Sequence, residues 1–171
     1  MSRKRVYLSL GSNLGEREEH LERAIAALEK DEIRVITRSS LYETEPQDFA
    51  QQPWFLNMAL ECETRYFPVQ FLTMLQAIER DLGRVRAGAV RRGPRIIDID
   101  ILLFANSVID TGRLVIPHPR MLERRFMLEP LLEIAPDIKH PATREPLSKY
   151  LNKVAGQKVK RRDLGIRCKQ A

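Results

Sequence analysis

The apolar positions of this 171-residue chain fall into short stretches whose repeat switches between two and about 3.6 residues. Val6–Leu10 alternates and then meets a turn cluster, Gly11-Ser12-Asn13-Leu14-Gly15, which marks a first strand. Arg17–Lys30 sets Leu21, Ala24, Ile25 and Leu28 on one helical face. Ile33–Tyr42 predicts a second strand. Glu43–Trp54, polar and interrupted by proline, predicts a long loop of the kind that often carries function in compact domains. Phe55–Glu63 predicts a third strand, with Leu56, Met58, Leu60 and Cys62 on one face and Phe55 and Asn57 on the other. Pro68 opens a second helix that runs through Leu72, Leu75 and Ile78 to about Leu82, where Gly83 stops it.

A fourth strand carries Asp98 and Asp100, completing the order β-α-β-β-α-β. That order is the split βαβ arrangement of the ferredoxin-like fold, an α+β class with an antiparallel sheet. C-terminal additions follow: a short strand near Leu114–Ile116, a turn at Pro117-His118-Pro119, and helical patterns around Met121–Ile134 and Pro146–Val154. One domain over residues 1–155 and a basic tail over 156–171 are expected.

Charge sharpens this division. The formal net charge is +6, yet residues 153–171 hold seven Lys/Arg against one Asp, which leaves 22 basic and 22 acidic residues before them. The excess therefore belongs to the tail. A ferredoxin-like nucleic-acid-binding module with a basic tail is the alternative reading. The neutral domain and the lack of a base-stacking strand motif argue against it, and no specific nucleic-acid partner is expected. Two cysteines, Cys62 and Cys168, make no disulfide or metal framework. No apolar run approaches the roughly 20 residues of a membrane span, and no signal segment opens the chain. A cytoplasmic protein without a membrane partner is expected.

The candidate chemistry lies in Gly93-Pro94-Arg95-Ile96-Ile97-Asp98-Ile99-Asp100-Ile101-Leu102-Leu103. Strand alternation sets Asp98 and Asp100 on one face and Ile97, Ile99, Ile101 and Leu103 on the other. Same-face neighbours lie about 7 Å apart, so two negative charges share one small patch. Burying both is costly unless a positive charge lies between them, and Mg²⁺ supplies it through carboxylate oxygens and substrate phosphates. Arg84, Arg86, Arg91, Arg92 and Arg95 precede the pair with no acidic residue among them. The competing reading is an acid pair at a sheet edge, salt-bridged to arginines and holding no metal.

Three segments carry a family resemblance: Tyr7-Leu8-Ser9-Leu10-Gly11-Ser12-Asn13-Leu14-Gly15, Gly93–Asp100, and Pro117-His118-Pro119-Arg120-Met121. Over about residues 5–150 the chain resembles the 6-hydroxymethyl-7,8-dihydropterin pyrophosphokinases of folate biosynthesis. The resemblance implies transfer of pyrophosphate from ATP to the pterin hydroxymethyl oxygen with release of AMP, assisted by two Mg²⁺ ions held at Asp98 and Asp100. It implies that Arg84 and Arg95 act in catalysis with the two aspartates. It further implies that Glu79, Arg86, Arg91, Ile101, Arg113, His118 and Arg124 serve the ATP side. The pterin ring would lie between Phe55 and Phe126, bonded by Asn57 and by the loop backbone at Thr44, beside the turn at Gly11. A monomer acting on these two small molecules is expected. Two departures from the family pattern stand out. Arg92 replaces a frequent aromatic, and Glu45 replaces a frequent proline, which predicts a more mobile loop after Thr44.

Overall fold

The computed structural model describes residues 2–30, 32–83 and 93–162. Its centre is β1 (Lys4–Ser12), an alternating segment long enough to pair on both sides. The chain then forms α1 (Arg17–Leu28), β2 (Ile33–Arg38), β3 (Tyr42–Thr44), β4 (Phe55–Thr64), α2 (Pro68–Asp81) and β5 (Asp98–Phe104). β1 pairs antiparallel with β4 on one side and β5 on the other, while β2 and β3 share the far edge of β4. This is the expected ferredoxin-like α+β arrangement. After β5 come a small hairpin of β6 (Ile109–Asp110) and β7 (Val115–Ile116), a 3₁₀ turn at Met121–Glu123, α3 (Arg125–Ile134), a 3₁₀ segment at Leu147–Val154, and β8 (Val159–Arg161) on the outer edge of β3.

The sheet buries both faces, as alternation demands. Leu8, Leu10, Met58, Leu60, Ile99 and Ile101 face α1 and α2 and pack with Leu21, Ile25, Leu28, Phe71 and Leu75. On the opposite face, Ala59 and Leu102 pack with Met121, Met127, Leu128 and Leu131 from the C-terminal additions. These additions cover only part of the second face, and the uncovered part is where the polar residues gather. α2 ends as expected, with Gly83 at φ +101°, a left-handed geometry that a side chain would strain. Among the described residues no helix is long and apolar enough to cross a membrane.

Five expectations need correction. The predicted second strand is two strands, because four residues from Arg38 to Tyr42 span only three on β4. Ser39 makes the break: its hydroxyl takes the Ala59 N–H at 2.9 Å, so a side chain replaces a backbone acceptor in the ladder. Leu103 does not share the face of Ile99 and Ile101. A bulge between Tyr7 and Leu8 leaves β5 one residue longer than β1, which turns Leu103 into the second core. The helical pattern at 146–154 is 3₁₀, and that at 121–134 is broken at Arg124. Glu45 is held rather than loosened: its N–H donates to Lys158 O at 3.1 Å, and its carboxylate accepts the Lys158 N–H at 2.7 Å. Residues 159–161 of the expected tail are the strand β8, and residues 163–171 lie outside the described residues.

Candidate active site

Three adjacent strands bring the polar residues into two rows. Asn57, Gly11 and Asp98 are partners across β4, β1 and β5, and Ala59, Ser9 and Asp100 form the next row. Alternation puts both rows on the face turned away from α1 and α2. Gly11 stands at the centre because nothing larger fits. A Cβ there would lie 2.4 Å from Asn57 Oδ1 and 3.6 Å from the Phe55 ring. Asn57 is fully enclosed, and its Nδ2 donates to Thr44 Oγ1 at 2.6 Å, which fixes the amide.

A cavity of about 190 Å³ opens over these rows. Its ring-like end is walled by Gly11, Thr44, Phe55, Asn57 and Phe126, and its charged end by Arg95, Asp98, Asp100 and Arg124. Nine residues expected to act together are thus brought together. Two phenyl faces and an oriented amide suit a flat heteroaromatic ring with donors and acceptors on its edge. Arg124, whose guanidinium lies 5.6 Å from the Phe126 ring centre, joins the two ends.

The acid pair is electrostatically loaded. Arg95 Nη1 donates to Asp98 Oδ2 at 2.7 Å, a close ion pair on half-buried side chains. Asp100 is driven well above its ordinary value, first by burial and then by the charges of Asp98 and Glu79. An added cation relieves that conflict. Among the described residues no three His, Cys, Asp or Glu side chains converge on one point. Two carboxylates with open positions left for phosphate oxygens and water are a donor set that fits Mg²⁺.

The other expected residues are placed differently. The Glu79 carboxylate is buried behind β5, where Oε1 accepts the Ile99 N–H at 2.8 Å. Ile101 puts its side chain in the core under α1 and α2, so any contact it makes with a ligand is through backbone. Arg113 reaches across to Thr73 Oγ1 at 2.9 Å. The His118 ring, mostly buried, accepts the Arg120 N–H at Nδ1, and its pKa is lowered to about 4 by burial and then by Arg124. None of these four lines the cavity. Arg84, Arg86, Arg91 and Arg92 lie outside the described residues.

The cavity also includes Glu45, expected only as a departure in the loop, and residues the sequence reading did not single out: Ser9, Gln47, Asp48 and Gln52. Ser9 was available from alternation, two positions before Gly11. The loop residues were not, since a loop has no period. Asn13 was missed as well. It is 2% exposed and locks two segments together, its Oδ1 accepting the Arg95 N–H at 2.7 Å and its Nδ2 donating to Gln52 Oε1 and Pro53 O at 3.0 Å each. Asp48 reaches Arg120 at 3.0 Å and Arg124 at 3.1 Å, tying the loop to the far wall.

A ferredoxin-like sheet that sets a half-buried acid pair and arginines beside an aromatic, amide-bearing cleft is suited to a ring substrate next to a polyphosphate. Comparison with known proteins makes the class specific. The sequence profile of the 7,8-dihydro-6-hydroxymethylpterin-pyrophosphokinase family matches residues 7–136, and the chain belongs to this family. It is 47% identical to the 2-amino-4-hydroxy-6-hydroxymethyldihydropteridine pyrophosphokinase of Bacillus subtilis over 139 residues, 81% of this chain and 82% of that one. It is 43% identical to the folic acid synthesis protein fol1 of Schizosaccharomyces pombe over 92% of its own length but only 21% of the relative's. The fold also matches the HPPK-DHPS crystal structure in complex with substrates, with a TM-score of 0.71 at 18% identity over 90% of this chain and 43% of that one. The chain thus spans about a fifth of the longer curated relative and less than half of the solved one. Neither the family nor the fold lends support to the nucleic-acid alternative.

Proposed function

We propose that this chain transfers the pyrophosphoryl group of ATP to the hydroxymethyl oxygen of 6-hydroxymethyl-7,8-dihydropterin. The new bond joins that oxygen to the β-phosphorus, the bond from the β-phosphorus to the αβ-bridging oxygen breaks, AMP leaves and the hydroxyl proton is lost. The observation that carries this reading is the single cavity in which Phe55, Phe126 and Asn57 stand opposite Asp98, Asp100, Arg95 and Arg124. Substrate and phosphate sites that meet end to end are what a two-substrate transfer needs, since holding both reactants in line supplies much of the rate.

Each residue has a part. Phe55 and Phe126 sandwich the pterin, and Asn57, fixed by Thr44, reads its edge. Gly11 leaves room for the ring to lie close to β1. Asp98 and Asp100 would hold two Mg²⁺ ions, which when bound neutralise phosphate charge as it builds during transfer. Arg95 steers Asp98 and offers a permanent positive fork to the phosphates. Arg124 serves the same end from the other wall, and Arg84, Arg86 and Arg91 are assigned to the ATP phosphates with it. Glu79, buried behind Ile99, keeps β5 in register and acts on the ATP side only through that strand. Ile101 can act only through its backbone, and Arg113 and His118 are assigned to the nucleotide side.

The test is AMP release from ATP by the purified chain in the presence of Mg²⁺, with and without the pterin alcohol. Pterin-dependent AMP is expected. ATP consumption that ignores the pterin, or its complete absence, rejects the proposal.

A further inference from the structure

The family match ends at residue 136, yet the walls of the cavity are tied to residues well beyond it. β3 is only three residues long, and its last residue, Thr44, is both a wall of the cavity and the acceptor that fixes Asn57. On its outer side β8 pairs with all of it: Tyr42 with Arg161, Glu43 with Lys160, and Thr44 with Val159. The pairing runs one residue further through the two Glu45–Lys158 hydrogen bonds. At the other end Arg162 N–H donates to Leu41 O at 2.8 Å. A very short strand paired on one side only is marginal, and a second neighbour makes it interior.

The same segment grips the opposite wall. Gln157 Oε1 accepts the Arg125 N–H at 2.8 Å, and its Nε2 donates to Glu123 O at 2.7 Å. These bonds bracket Arg124 and sit one residue from Phe126, two lining residues of the cavity. Arg125 Nη1 adds bonds to Ala155 O at 3.1 Å and Gln157 O at 2.9 Å. Residues 157–162 therefore run from the start of α3 to the edge of β3 and hold the two sides of one cleft at a fixed separation.

We infer that residues 157–162, anchored on Glu45, are a positioning element for the substrate cavity and set its affinity for the ring substrate. Glu45 is a positioning residue: it supplies the backbone donor and the carboxylate acceptor that a proline at this place lacks. The inference rests on the function proposed above for the reading of affinity, but the brace itself does not.

Five forms of the protein test it: the full chain, a chain ending at Gly156, a chain ending at Arg162, Glu45→Pro and Glu45→Gln. Proline is compatible with the extended backbone around residue 44 and removes only the N–H donor and the carboxylate. Ending at Gly156, or introducing Glu45→Pro, is expected to raise the pterin KM about tenfold while the ATP KM moves less than about threefold. The chain ending at Arg162 keeps the pterin KM of the full chain, and Glu45→Gln, which retains both hydrogen-bonding groups, falls between Glu45→Pro and the full chain. Amide exchange at residues 44–52 and 124–127 should rise in the chain ending at Gly156, and at 44–52 in Glu45→Pro. An unchanged pterin KM in Glu45→Pro and in the shorter chain overturns the inference, as does exchange at 44–52 that stays at the full-chain level. If the shorter chain fails to fold, Glu45→Pro and its exchange decide alone. If the full chain shows no pterin-dependent turnover, the proposed function fails, and exchange still settles whether the brace exists.

Discussion

At the residue scale the site depends on what is absent as much as on what is present. Gly11 lets Asn57 and Phe55 close over β1, so Gly11→Ala must displace the Asn57 amide by its 2.4 Å conflict with Oδ1. The variant is expected to fold and to bind the pterin more weakly by roughly 1–3 kcal/mol, the range for a disturbed buried hydrogen bond. Titration calorimetry with the pterin checks this, and unchanged affinity would put the ring elsewhere. His118 gives a pH signature. Its folded pKa of about 4 lies below the ordinary 6.5, so the unfolded chain takes up the proton first as the pH falls. The protein keeps its full stability against this residue above about pH 6.5 and loses it progressively down to about pH 4, by on the order of 2–3 kcal/mol. Denaturant unfolding of His118→Asn, compared with the parent from pH 7 to 4, should show a shallower fall. Parallel curves would remove His118 as the cause.

At the element scale, alternation and helical spacing disclosed β1, β2, β4 and β5 and both core helices, and with them the face that carries Asp98, Asp100, Phe55 and Asn57, but not β3 as a strand of its own. What they could not disclose were departures from period made by single groups. The Ser39 hydroxyl that interrupts a ladder, the bulge that turns Leu103 over and the outer strand β8 leave no trace in a hydrophobic pattern. The loop was legible as a functional segment, but which of its residues, Gln47, Asp48 and Gln52 among them, line the cavity was not, for the same reason. Asn13 shows how much is carried there: one enclosed amide joins the end of β1 to the segment before β5 and to the loop at Gln52 and Pro53. Asn13→Ala leaves the Arg95 N–H without that acceptor and frees the loop. A stability loss of about 1–3 kcal/mol is expected, lowering the melting temperature by several degrees. Scanning calorimetry checks it, and a melting temperature equal to the parent's would show that the two segments are held by other bonds.

For the whole molecule, stability and the proposed chemistry oppose each other at Asp100. Its folded pKa is raised, so without metal its carboxylate destabilises the fold increasingly as the pH rises above the ordinary carboxylate value. Asp100→Asn removes that repulsion from Asp98 and Glu79. In the absence of Mg²⁺ at neutral pH the variant should melt about 2–4 °C above the parent, the shift that roughly 1 kcal/mol gives a chain of this size. It should also fail to turn over. A variant that melts lower, or that stays active at saturating Mg²⁺, would contradict a strained acid pair kept for the metal.

The central claim is that two phosphoryl units move together from ATP to the ring alcohol, and the identity of the products tests it most directly. Phosphorus NMR of a completed reaction with Mg²⁺ and the pterin alcohol should show AMP and a pterin diphosphate appearing in equal amounts. ADP together with a singly phosphorylated pterin would contradict the account, because the attack would then have fallen on the terminal phosphorus.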